Sequence, residues 1–389
     1  MVTGHRPLIV YADGPGSARI SPDEVAAQVG LQGPSEVFLG WTLEEHAWLS
    51  SPTLSGRTYM AGYALLKAVK AGRLTPVPVR LSAIPSFVEF LTPDVVVVAG
   101  IRRGNSLVFG PTVGWGPSAV AAARQVVVEV DDDGFDFGGP EIGGNIVAVV
   151  SRPATTAEAP VLARPADEVD LEIGRLVASM LPDDPTLQFG PGGIGEAIAR
   201  ALDRPVRLWS GLLTDAMAGI EQRGLLRGQA TACYVWGGEP VRELYRRSQL
   251  RLVSVRETHD LSALSAMPRF VGCNTALQVG LDGSINIEQV GGRTITSIGG
   301  HSDFCAGASR SAGGLSVIAL RSTTNRGASA IVAGVERVST QRSDIGVVVT
   351  EHGIADLRGI GDAERAERLT AIAAPEFRAE LAAHPVDIR

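Results

Sequence analysis

Residues 93–100 read Pro93-Asp94-Val95-Val96-Val97-Val98-Ala99-Gly100. Four consecutive valines offer no polar face, so a strand here must be covered on both sides, as an interior strand of a parallel sheet is. Gln125–Val130 reads the same way, with Ser118–Arg124 between them as a helix. Upstream, Leu8–Tyr11, Val37–Leu39 and Val77–Leu81 are apolar, partly β-branched runs that predict strands. The intervening segments predict helices. Ser21-Pro22-Asp23-Glu24 has the form of a capping box opening a helix through Val29. Tyr59–Lys70 carries apolar residues at helical spacing and stops before Gly72. Strands separated by helices predict βαβ units and an open α/β sheet.

The pattern breaks at Ser151–Asp167, a Pro-, Ala- and Thr-rich run without amphipathic period, which reads as a linker. It divides the chain into an α/β domain over 1–155 and a second over 166–389. Beyond it, helices are expected at Asp167–Met180, Gly195–Leu202, Leu212–Arg223 and Ala363–Ala373. Strands are expected at Thr186–Phe189, Val206–Trp209, Arg269–Val271, Ser316–Ala319 and Ile345–Thr350. A length of 389 residues suits two domains.

Composition narrows the function classes. A hydrophobic fraction of 45% with 20% charged residues fits a soluble globular chain, and a net charge of −7 argues against a broad nucleic-acid surface. The longest apolar run, Val95–Ala99, is far too short to span a bilayer, so no membrane is expected as a partner. Three cysteines without a CxxC pair, and a start without a signal-peptide pattern, predict a cytoplasmic protein and no metal site. Of the 35 basic residues only Lys67 and Lys70 are lysines, which leaves 33 arginines and suggests a GC-rich, bacterial coding sequence. Any anionic ligand would be met by Arg, main-chain amides or helix N-termini.

Four segments carry chemistry. Gly190-Pro191-Gly192-Gly193-Ile194-Gly195 follows a strand and opens a helix. It matches the spacing of a dinucleotide-binding turn, but the next strand ends at Ser210 rather than at an acid, which argues against a nicotinamide-dependent oxidoreductase. The loop is either a ligand-lining turn or a tight structural one. Gly272–Gly283 runs from an apolar strand into polar residues and ends in Asp282-Gly283, a hairpin signal. Ile298-Gly299-Gly300-His301-Ser302-Asp303-Phe304 sets paired glycines beside a His and an Asp, the composition of backbone approaching a ligand, although His301 by itself reads more readily as a hydrogen-bonded structural His. Thr350-Glu351-His352-Gly353 follows an all-apolar strand, where open α/β sheets bind ligands. Farther on, Asp356 and Arg358 either serve that site or pair at a surface.

Taken together, GPGGIGEAIARAL (190–202), LLTDAMAGIEQRGLL (212–226), NTALQVGLDGSIN (274–286), IGGHSDF (298–304), SAGGLSVIAL (311–320) and TEHGIADLRG (350–359) resemble the acetyl-CoA hydrolase/transferase family, the single-chain branch of the class I CoA-transferases. The likeness covers most of the chain and is looser in the N-terminal half. It implies two open α/β domains of CoA-transferase type with the active site in the cleft between them. It also implies an acyl-CoA and a small carboxylate as reactants, coenzyme A as part of the substrate with no separate bound cofactor, and a homodimer. By the same resemblance Gly190, Gly192, Gly193, Asn274, Thr275 and Asp303 contact substrate or CoA, and the Gly299 and Gly300 amides serve an oxyanion.

In such enzymes a glutamate attacks the thioester and becomes a glutamyl-CoA thioester. The resemblance sets Gln278 at that glutamate, and an amide is a poor nucleophile that cannot form the intermediate. Four readings stay open. The chain hydrolyses or otherwise transforms acyl-CoA, with Gln278 orienting a reactant and Glu351 or His301 as base. It binds acyl-CoA without turnover. Gln278 is an introduced replacement in an ordinary transferase. Or Gln278 is a neutral replacement.

Overall fold

The computed structural model describes residues 6–152 and 164–384. The first half forms an eight-stranded sheet from β1 (Leu8–Tyr11), β2 (Glu36–Leu39), β3 (Gly56–Thr58), β4 (Leu74–Pro76), β5 (Val95–Arg103), β6 (Ser106–Val108), β7 (Gln125–Val130) and β8 (Ile146–Ser151). The order is β4-β3-β2-β1-β5-β7-β8, parallel throughout, with β6 antiparallel to β5. Val95–Val98 are buried in its centre, and alternate valines feed two separate cores. Growth runs outward from β1 through β4, then returns to the other side of β1 at β5, which is the switch point of this sheet.

The second half builds a six-stranded sheet in the order Arg207–Leu208, Thr186–Phe189, Phe270–Asn274, Leu315–Ala319, Val347–Thr350 and Gly353–Asp356. All neighbours are parallel except the last pair. The protein is therefore α/β with two parallel-sheet domains.

Several elements form for the reasons legible in the sequence. Ser21 and Glu24 make a reciprocal capping box on the Pro22–Val29 helix, and Asp167 with Asp170 makes a second on Glu168–Ser179. Other elements differ. Val77–Leu81 is not a strand. The ladder ends at Pro76, Pro78 has no N–H to continue it, and Leu81–Ala83 forms a 3-10 turn. Only Leu66–Lys70 of Tyr59–Lys70 is α-helical, after a 3-10 turn at Tyr63–Leu65. Leu212–Thr214 forms a strand against Tyr234–Trp236 before the Asp215–Gln222 helix starts. Most of the expected linker lies outside the described residues. Ser151 closes β8, and Arg152 pairs with buried Glu129 at 2.7 Å.

The two halves are stitched along a seam. The amides of Val113 and Gly114 donate to the Cys233 carbonyl, and that of Val235 to Pro111. On the other side, Leu81 N donates to the Gly299 carbonyl at 2.9 Å and Ala61 N to Ser297 Oγ at 2.8 Å.

Candidate active site

The C-terminal sheet has its own switch point. From Thr186–Phe189 the chain steps to Arg207–Leu208 on one side, then returns as Phe270–Asn274 on the other. Ligands bind beyond the carboxyl ends of strands that part in this way. A cavity of about 370 Å³ lies there, lined by Gly190, Gly192, Gly193, Asn274 and Thr275, with Arg321, Thr323, Thr324 and Asn325 from the turn after Leu315–Ala319.

The glycine loop is shaped by its backbone. Gly192 has φ +121°, a conformation side chains resist, and it begins the Gly193–Ala201 helix without a side-chain cap. Uncapped first-turn amides suit an acceptor or an anion. A Cβ on Gly193 would lie 2.4 Å from Asp170 Oδ2, so glycine is required for the helix start to approach that carboxylate. Asp170 is 1% exposed and held by Arg164 at 2.8 Å and Arg321 at 2.9 Å. Both arginines compensate the buried Asp170 carboxylate, since removing them would leave its charge without a partner.

The opposite wall is fixed from behind. Asn274 Nδ2 donates to Cys305 Sγ at 3.6 Å, and Gln188 Nε2 reaches Asn274 Oδ1 at 3.5 Å. His301 Nε2 lies 3.1 Å from the Thr275 carbonyl, and Nδ1 lies 2.9 Å from Thr340 Oγ1. A carbonyl only accepts, so Nε2 carries the proton and Nδ1 accepts from the threonine hydroxyl. Burial pushes the imidazole down to about 4, so it is neutral near pH 7 with both nitrogens engaged. Glu351 accepts from Ser322 N at 2.9 Å and Ser322 Oγ at 2.6 Å, which anchors the turn bearing Thr323–Asn325.

The residues singled out from sequence therefore separate into three places. Gly190, Gly192, Gly193, Asn274 and Thr275 share the cavity. His301 and Glu351 stand one hydrogen bond behind its walls, with no free atom in the role of base. The remainder lie elsewhere. Gln278 opens the Gln278–Gly280 strand, and its Oε1 accepts from Asn286 Nδ2 at 2.9 Å across the hairpin. Asp303 accepts from Ser82 N at 3.0 Å and Ser82 Oγ at 2.6 Å, and burial pushes its carboxyl up to about 6. Gly299 (φ +54°) and Gly300 form the turn that meets Leu81 of the first domain.

Sequence reasoning missed Arg164, Asp170 and Arg321. One signal was available: Asp170 occupies the same helical stripe as buried Ile173, Gly174 and Val177, where a lone acid needs a partner. Arg164, Pro191 and Gly192 also border a wider groove of about 1110 Å³ that includes Arg200, Arg223, Arg242 and Trp236. Among the described residues no group of three or more His, Cys, Asp or Glu could hold a metal ion. No helix there is long and apolar enough to cross a membrane.

Residues 241–384 match the Acetyl-CoA hydrolase/transferase C-terminal domain. A butyryl-CoA:acetate CoA-transferase of Anaerostipes caccae is 27% identical over 345 residues, covering 81% of this chain and 77% of that protein. An acetyl-CoA hydrolase of Eremothecium gossypii is 25% identical over 448 residues, covering 94% and 83%. The crystal structure of a 4-hydroxybutyrate CoA-transferase from Porphyromonas gingivalis superposes with a TM-score of 0.73 at 25% identity, covering 97% of this chain and 92% of that one. RipA from Yersinia pestis shares the fold, with a TM-score of 0.83 at 23% identity over the same shares. The C-terminal part of the chain thus matches the acetyl-CoA hydrolase/transferase family, and nearly its whole length aligns with CoA-transferases and acetyl-CoA hydrolases.

Proposed function

We propose that the chain binds an acyl-CoA at the C-terminal switch point and cleaves its thioester with water. The observation that carries this reading is the confluence of two spaces at Arg164, Pro191 and Gly192. A narrow cavity with an uncapped helix start suits the acyl-pantetheine end, and the Arg-bordered groove suits a phosphorylated nucleotide. Water adds to the thioester carbonyl carbon and the C–S bond breaks. Sulfur leaves as thiolate and takes up the proton released by water, which yields the carboxylate, free CoA and one further proton. The uncapped first-turn amides of the Gly193–Ala201 helix border the cavity and are candidates for the oxyanion, and a well-placed donor contributes about 3–4 kcal/mol.

Hydrolysis is favoured over ping-pong transfer by the carboxylates available. Transfer through an enzyme-bound anhydride needs a free carboxylate at the thioester. Among the described residues lining the cavity, Asp170 is the one carboxylate, and it is tied to Arg164 and Arg321. The same observation supports a second reading, acyl-CoA binding without turnover.

Incubation with a panel of acyl-CoAs, with and without acetate, decides among these. Thiol release without new thioesters or protein adducts is expected. New thioesters with acetate would mean transfer. Binding without thiol release would mean the silent reading, and neither binding nor release would end the proposal.

A further inference from the structure

Asp13 belongs to no motif and lines neither space. It lies two residues past β1, at the switch point of the first sheet, and is 1% exposed. Open α/β sheets bind ligands at such a place. Here the second domain fills it. Tyr234 reaches in from the Tyr234–Trp236 strand, buried, with its ring edge-on to Trp41 at a centroid distance of 5.4 Å. Two glycines make the room. A Cβ on Gly114 would lie 2.6 Å from Asp13 Oδ1 and 2.7 Å from Tyr234 Cε1, and one on Gly14 would lie 2.8 Å from Tyr234 Cδ1.

Asp13 Oδ2 accepts from the hydroxyl of Tyr59 and, at 2.9 Å, from that of Tyr234, so one oxygen ties the two domains together. Oδ1 is buried with no partner, and so is the Trp115 indole nitrogen beside the carboxyl. No cation pairs with Asp13 among the described residues. The ionisable groups facing it are Tyr59, Tyr234 and Cys233, the last directly before the Tyr234–Trp236 strand. Burial pushes all three up, so they stay neutral near pH 7. A carboxylate here has two neutral donors, no water and no countercharge. Beside it run the main-chain bonds from Val113 and Gly114 to Cys233 and from Val235 to Pro111.

We propose that Asp13 is a pH-sensitive latch between the two domains. Protonated, its carboxyl keeps Tyr234 seated at the end of β1; ionised, it favours a state in which Tyr234 has withdrawn and water reaches the carboxylate. Burial pushes the docked carboxyl up to about 7, whereas hydration restores the ordinary 3.8. Opening therefore releases a proton between these limits. It becomes about tenfold easier per pH unit up to about pH 7 and levels off above that. Asp303, at the other stitch between the domains, faces Ser82 and Arg80 and shifts the same way. The difference between wild type and an Asp13 variant, rather than the wild-type slope, thus reports the latch.

The test is amide hydrogen exchange from pH 5 to pH 8, read residue by residue and corrected for the intrinsic rate. Gly114 and Val235 report the seam, and Val95–Val98 report the interior. Seam amides less protected than interior ones are expected. Between pH 5 and pH 7 seam protection should fall about 100-fold in wild type relative to Asp13→Asn, which keeps an acceptor and does not ionise. Tyr234→Phe removes one donor to the carboxylate and should move the levelling point to higher pH. Seam amides as protected as interior ones, equal pH profiles for wild type and Asp13→Asn, or an unmoved levelling point in Tyr234→Phe overturns the latch. If Asp13→Asn does not fold, the wild-type and Tyr234→Phe profiles still decide.

Discussion

His301 Nε2 is 3.1 Å from the main-chain carbonyl of Thr275, so the first residue of one helix holds the wall of the cavity at the end of the neighbouring strand. The imidazole reaches about 4 in the folded protein against an ordinary 6.5. Stability from this group is therefore present above pH 6.5 and is lost as the pH falls through about 4. His301→Asn should cost about 1–3 kcal/mol at pH 7, the range for a buried hydrogen bond broken on one side. It should also make the acid limb shallower, though not flat, because buried His259 shifts the same way. Urea midpoints between pH 4 and pH 8 read both effects, and parallel curves for variant and wild type would refute the assignment.

Asp13 gives the opposite slope. Its carboxyl accepts from Tyr59 of the first domain and, at 2.9 Å, from Tyr234 of the second. Burial pushes it up to about 7 from 3.8. Its contribution is complete below the unfolded value of 3.8 and is lost as the pH rises through about 7. Asp13→Asn should remove that decline, read as thermal midpoints from pH 5 to pH 8. A wild type whose midpoint does not drop more than the variant's over this range would contradict it.

The glycine loop separates fold from ligand. Nothing lies within 4 Å of a Cβ on Gly190, whereas a Cβ on Gly193 meets Asp170 at 2.4 Å. Gly193→Ala should lose about 1–3 kcal/mol through overpacking. Gly190→Ala should stay within about 0.5 kcal/mol of wild type yet weaken acyl-CoA binding. Calorimetric titration of Gly190→Ala with unchanged affinity would make the loop a structural turn only.

Glu351 holds Ser322 by both carboxylate oxygens. Glu351→Gln keeps an acceptor for Ser322 N and offers an N–H to Ser322 Oγ, but it replaces two charge-assisted bonds by weaker neutral ones and should loosen the Thr323–Asn325 turn. A several-fold higher KM with a smaller change in kcat is expected. Loss confined to kcat, with KM unchanged, would return Glu351 to the role of base.

Gln278→Glu tests the family's covalent chemistry directly. The side chain is engaged with Asn286 in the hairpin, and a glutamate there keeps the acceptor that Asn286 needs. No CoA adduct is expected on the intact protein after acyl-CoA treatment. A mass increase of one CoA would show that this position reaches the thioester after all.

Local chemistry settled much of the architecture in advance. Val95–Val98 can only be an interior parallel strand, Ser21 with Glu24 and Asp167 with Asp170 cap their helices, and Asp282-Gly283 turns a hairpin. Each of these depends on residues a few positions apart. The His301–Arg310 helix stayed unread because its Ala, Ser, Gly and Cys positions carry little apolar period, and the glycines before it resemble a loop. The site itself was legible only in part. Gly190–Gly193, Asn274 and Thr275 were found as motifs, but Arg321, just past the end of Leu315–Ala319, met Arg164 and the helical Asp170 only through the tertiary fold. Gln278, conspicuous in sequence, is tied into a hairpin, while unremarked Asp13 joins Tyr59 to Tyr234 across the seam. Sequence fixes what a residue can do chemically and what its near neighbours form. Which groups are desolvated, paired or left without a partner depends on contacts across tens to hundreds of residues, and packing alone makes those.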